Sequence, residues 1–168
     1  MSVQLARRIF DHAYRYYHAS LMLRSVKNPD FKNHAYPAIH LGYLATELFL
    51  KSMATENLGR TTRGYGLRKL FLHIAATDQK KLSEKWAVWF EQHTVKLPPD
   101  LAMLLPRDIG LSSMLKEGEF MLNNSRYQWE ATDQGNVFLL IEVPRMLYDC
   151  IVINHPNWAP AFSTTESL

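Results

Sequence analysis

YPAIHLGYLATELFLKSMATE, residues 36–56, is the stretch on which the reading of this chain turns. Its periodicity predicts one long helix, because Ala38, Leu41, Tyr43, Leu44, Ala45, Leu48, Phe49, Leu50 and Met53 cover all of the helical circumference but a narrow strip. At about 100° per residue, His40, Glu47 and Lys51 fall within roughly 40° of one another and make up that strip. A helix packed on one side only has a wider polar face. The pattern therefore predicts a helix central in a bundle, or one shared between the core and a partner subunit.

The rest of the chain also reads as helix. Residues 3–25 hold neither Pro nor Gly. Leu5, Ile9, Ala13, Tyr16 and Ser20 recur there at three- and four-residue spacing, with Phe10, Tyr14, Tyr17 and Leu21 as an adjacent stripe, which predicts about six helical turns. Asn28-Pro29-Asp30 interrupts the pattern, and Pro37 suits the first turn of the second helix, where no amide is needed. Gly59 marks its end, since a helix commonly closes on a left-handed residue. A helical pattern resumes with Leu67, Leu70, Phe71 and Ile74. Asp78 is expected to cap a further helix with Leu82, Trp86, Trp89 and Phe90 on one side, ending before Pro98-Pro99.

Residues 100–122 read as two helical pieces around Pro106, the second placing Leu111, Met114, Leu115, Met121 and Leu122 on its apolar side. A last helix is expected from near Asp133 to about Asn154, kinked at Pro144. The Val, Phe and Ile content of 137–143 also suits a strand, but no second strand exists to pair with it. The fold class is thus all-α, an up-and-down bundle of about five main helices. One domain over residues 1–155 is expected, with 156–168 a frayed tail rich in Pro, Ser and Thr.

Composition narrows the function classes. The 168 residues are 47% hydrophobic, enough for a core without disulfides or metal. The lone Cys150 lies in an apolar run and reads as a buried small hydrophobe rather than a reactive thiol. No stretch reaches the ~20 apolar residues that span a bilayer, and residues 1–8 lack a leader's apolar run. No membrane association and a cytoplasmic location are expected. A net charge of +3 permits RNA or nucleotide binding without demanding it. The seven histidines form no metal-ligand spacing, so neither a metal nor a cofactor is expected. No nucleophile elbow or Cys/His pairing points to covalent hydrolysis.

Two groups of residues could carry chemistry. Glu47 and Lys51 are an i,i+4 pair in the favourable order, worth about 0.2–0.5 kcal/mol if merely solvated. In a confined strip, Lys51 would instead serve an anionic group, with Glu47 orienting it or accepting a proton. The second is the loop and helix start at residues 59–69, where Arg60, Arg63, Arg68 and Lys69 stand among glycines with no acidic residue. Guanidinium groups beside a helix N-terminus suit a phosphate. The segment lacks the Gly-Lys-Ser/Thr of a P-loop, and a solvated loop has the same composition.

Tyr43-Leu44-Ala45-Thr46-Glu47-Leu48-Phe49-Leu50-Lys51-Ser52, Gly64-Tyr65-Gly66-Leu67-Arg68-Lys69-Leu70-Phe71 and Ser125-Arg126-Tyr127 together resemble the HEPN superfamily of small helical-bundle domains. The resemblance implies a homodimer associated with RNA or a nucleotide, in an accessory or defence role of toxin–antitoxin type, beside a nucleotidyltransferase or antitoxin partner. Many members are metal-independent RNases whose signature is an Arg followed four to six residues later by a His, with a Glu and a Lys four apart on an earlier helix. Glu47 and Lys51 match the second element. Tyr127 to Asp133, after Arg126, include no histidine. Gly64-Tyr65-Gly66-Leu67 also departs from the family's Gly-His-Asp-Leu.

Arg126 would then bind an anion, supported by Lys51 and Glu47 and flanked by Tyr127, with the usual RNase chemistry lacking. An active ribonuclease that replaces the missing histidine by Glu130 or His40 is the second reading. The third is a protein-interaction module with no ligand site.

Overall fold

The computed structural model describes residues 2–25, 31–64, 66–94, 108–125 and 142–160. Among these residues the architecture is all-α. It comprises α1 (Ser2–Arg24), α2 (Phe31–Leu58), α3 (Leu67–His73), α4 (Ala76–Thr94), α5 (Leu111–Ser125), α6 (Val143–Asn154) and a 3-10 turn at Pro156–Trp158, with no strand.

The α1–α2 hairpin is built on small residues. Ala6, Ala13, Ala38 and Ala45 are fully buried. Side chains this short let two helix backbones approach closely, and two serines exploit the approach. Ser20 Oγ donates to the Ala38 carbonyl at 2.7 Å, and Ser52 Oγ donates to the Ala6 carbonyl at 2.7 Å. Each uses the second lone pair of a carbonyl in the facing helix. Pairing 20 with 38 and 52 with 6 makes the helices antiparallel.

α2 is the central element, in contact with α1, α3, α5 and α6. None of its residues from 38 to 56 is exposed. Of its apolar belt, Ala38, Tyr43, Ala45, Phe49, Leu50 and Met53 are buried within one chain, while Leu41, Leu44 and Leu48 are only partly buried. α6 runs parallel to α2, since Phe49 meets Tyr148 at 6.2 Å and Glu56 meets His155 at 2.9 Å. The start of α4 lies against the end of α6, where Asn154 Nδ2 donates to Asp78 Oδ1 at 3.2 Å. α1 therefore runs opposite to both α2 and α6.

Several local expectations change. The buried line of α1 is Ala6, Phe10, Ala13, Tyr17 and Ser20, while Tyr16 and Leu21 are exposed. The buried line thus runs between the two adjacent stripes, taking Ala13 and Ser20 from one and Phe10 and Tyr17 from the other, with the small residues facing α2. α2 starts at Phe31, so Pro37 lies inside the helix rather than in its first turn. Its fixed φ suits a helix, and the missing amide costs one bond at an exposed position ahead of the covered stretch. α2 does end as expected, at Leu58 followed by Gly59 with φ 70°. Asp78 lies in the first turn of α4, which starts at Ala76, rather than capping it.

Pro144 does not kink a long helix but sits in the first turn of α6, where proline lacks nothing the helix needs. Residues 133–141 of the expected last helix lie outside the described residues. The expected frayed tail is packed at its start: Trp158 is only 4% exposed, its ring 5.7 Å from Phe10. Burying an indole of that size outweighs ordering three residues in a 3-10 turn. Residues 161–168 lie outside the described part. Leu82, Trp86 and Phe90 are buried on α4 as the spacing predicts, and so are Leu111, Met114 and Leu115 on α5.

Candidate functional site

The polar strip of α2 exists as a closed pair. Lys51 Nζ lies 2.5 Å from Glu47 Oε1, and the two side chains retain 23% and 27% of their exposure. The helical i,i+4 spacing brings them together, and the packing of α2 among its neighbours limits their hydration. His40 shares the face and is half-buried. An anion approaching Lys51 must therefore compete with Glu47. Arg126, Tyr127 and Glu130 lie outside the described residues.

The basic segment is arranged differently from a phosphate loop. Arg60, Arg63, Arg68 and Lys69 are all exposed. Gly59 and Gly64 take left-handed backbone, with φ 70° and 66°. At the start of α3, however, Glu119 from α5 accepts the Arg68 backbone N–H at 2.6 Å. An internal carboxylate thus occupies an amide that the sequence reading offered to a phosphate. Gly66 permits the contact, because a Cβ there would stand 2.3 Å from Glu119 Oε2. Nearby, Asp108 accepts hydrogen bonds from the Ser113 hydroxyl and from the Gly110 amide at 3.0 Å. These bonds hold its carboxyl below the usual range.

A second polar cluster, unforeseen in the sequence, closes the C-terminal end of α2. Glu56 Oε2 meets His155 Nε2 at 2.9 Å, and the imidazole stacks on Trp158 with centroids 4.2 Å apart and 13° between the planes. Asp78 and Asn154 stand beside them around a cavity of about 290 Å³. Nothing local could reveal this group, because Glu56 and His155 are 99 residues apart and meet only through the parallel packing of α2 and α6.

The remaining candidates resolve into core. Cys150 is buried, and burial pushes its thiol up to about 11, which suits a packing role rather than a nucleophile. Tyr17 and Tyr43 are likewise buried phenols pushed up to about 12 by desolvation. Among the described residues no group of three or more His, Cys, Asp or Glu is placed to hold a metal ion. None of their helices is long and apolar enough to cross a membrane. No protein-family model, curated protein or solved structure matches the chain.

Proposed function

We propose that this chain is a HEPN-like bundle that binds RNA or a nucleotide as an accessory or defence component of toxin–antitoxin type, without the usual RNase chemistry. The observation that carries the reading is the half-buried Glu47–Lys51 pair on a central helix with no exposed residue between 38 and 56. An ion pair on such a helix is costly to desolvate unless its geometry or its function compensates. Arg126 is assigned as the anion-binding residue, with Tyr127 beside it. The sequence window after Arg126 supplies no histidine to act as general acid or base. The protein acts as a homodimer, alongside a nucleotidyltransferase or antitoxin partner.

Fluorescence anisotropy with a labelled single-stranded RNA tests binding directly. Arg126→Ala should weaken it about tenfold or more, as expected when one charge-assisted contact is lost, and Lys51→Ala should weaken it less. Equal affinity of both variants and the parent chain would sink the proposal. A sedimentation measurement that finds only monomer at micromolar concentration would remove the dimer.

The half-buried position of His40 on the same face favours one second reading, an active ribonuclease. Cleavage of mixed RNA that disappears in both His40→Ala and Arg126→Ala would establish it. Cleavage that survives Arg126→Ala would point to another site or a contaminant.

A further inference from the structure

We propose that the cavity at the C-terminal end of α2 is a binding site for a small aliphatic amine, an alkylammonium or diammonium cation. Its volume of about 290 Å³ is at the lower limit of small-molecule sites, sized for a ligand of few heavy atoms. Met53 and Ile151, both buried, form an apolar floor beside Ala75. The polar groups come from three chain segments: the end of α2, the first turn of α4 and the end of α6.

The two carboxylates among these groups, Glu56 and Asp78, set the chemistry. Each asparagine amide commits one of its two N–H groups, Asn154 Nδ2 donating to Asp78 Oδ1 at 3.2 Å and Asn57 Nδ2 to the His73 carbonyl at 2.9 Å. His155 directs Nε2 at Glu56 Oε2, and its stack on Trp158 holds the ring in that orientation. Among the described residues, the oxygens left without a hydrogen bond are Glu56 Oε1, Asp78 Oδ2 and the amide oxygens of Asn57 and Asn154. All four are acceptors, and two carry carboxylate charge. The complementary ligand is a donor with positive charge.

His155, when protonated, pairs with Glu56 Oε2 and leaves Oε1 open, and Lys81 is the cation beside Asp78. Its Nζ stands 4.0 Å from Asp78 Oδ1 on a side chain 57% exposed, a separation and exposure at which an ion pair is worth little. The apolar floor distinguishes an alkylamine from a hydrated inorganic cation, because methylene groups gain by covering Met53 and Ile151. The site is separate from the Glu47–Lys51 strip and stands whether or not that strip binds anions. The chain carries a formal net charge of +3, so its overall field repels cations and saturable amine binding reports a local site.

Isothermal titration of the full chain with 1,4-diaminobutane, beside the neutral isostere 1,4-butanediol, tests the proposal. One-site binding of the diamine alone is expected. Glu56→Gln and Asp78→Asn should each weaken it about tenfold, the loss expected for one charge-assisted contact. Ala75→Leu should abolish it by filling the cavity, while Lys51→Ala should leave it unchanged. Circular dichroism checks that each variant folds, and Ala75→Leu serves if a charge variant does not. Absence of diamine binding, equal binding of the diol, or binding retained in all three cavity variants would overturn the assignment.

Discussion

Thr55 is fully buried on α2, and its hydroxyl has no hydrogen-bond partner among the described residues. A hydroxyl removed from water without a partner costs about 1–3 kcal/mol. Thr55→Val keeps the shape and removes that cost, so it should stabilise the fold by about 1 kcal/mol and raise the melting temperature by about 2–4 °C. An unchanged or lower melting temperature by calorimetry would mean that the hydroxyl is satisfied. Gly66 has the opposite sensitivity. A methyl group there displaces the Glu119 carboxylate from the Arg68 amide, and Gly66→Ala should cost about 0.5–1 kcal/mol, the net worth of one exposed hydrogen bond. In a Glu119→Ala background the same substitution should cost almost nothing, because the group it collides with is gone. A double-mutant cycle with no coupling would disprove that account.

Elements show how far periodicity reaches. The α2 helix, its belt and its Glu47–Lys51 pair are legible in the sequence, because the contacts that define them lie within one or two turns. The buried face of α1 was only half legible. The buried face takes Ala13 and Ser20 from the stripe through Tyr16 and Phe10 and Tyr17 from the adjacent one, with Ala6 from neither, because the contact with α2 runs between the two. The 3-10 turn after α6 is hidden for a related reason: Pro156 and the polar residues beyond it have the composition of a loose end, while Trp158 is buried against Phe10. Removing residues 156–168 should therefore cost about 3 kcal/mol, the typical loss for a buried aromatic ring, rather than leaving stability unchanged. Urea unfolding of the shortened chain measures it, and an unchanged midpoint would restore the frayed reading.

For the molecule as a whole, the buried acids set the pH response. Cys150 is raised to about 11, and Tyr17 and Tyr43 to about 12, by burial. A raised folded value gives stability that is fully present below the unfolded value and lost as pH climbs through the folded one. Cys150 thus begins to weaken the fold near pH 9, its ordinary value, and the tyrosines near pH 10. Each group contributes a slope of about 1.4 kcal/mol per pH unit inside its window. Urea midpoints should be flat from pH 7 to 9 and then fall, with Cys150→Ala removing the earliest part of the decline. A midpoint steady up to pH 11 would contradict the burial of all three.

The all-α class, the central place of α2 and the pairing of Glu47 with Lys51 are written in local spacing, since helical periodicity and i,i+4 contacts are properties of neighbouring residues. That Glu119 takes the Arg68 amide, and that Glu56, Asp78, Asn154 and His155 surround one cavity, depends on how the helices pack. Those contacts join positions 51 to 99 residues apart, and they exist because whole helices pack in one register. No local spacing encodes that register; it is fixed by the fit of side chains across the entire bundle.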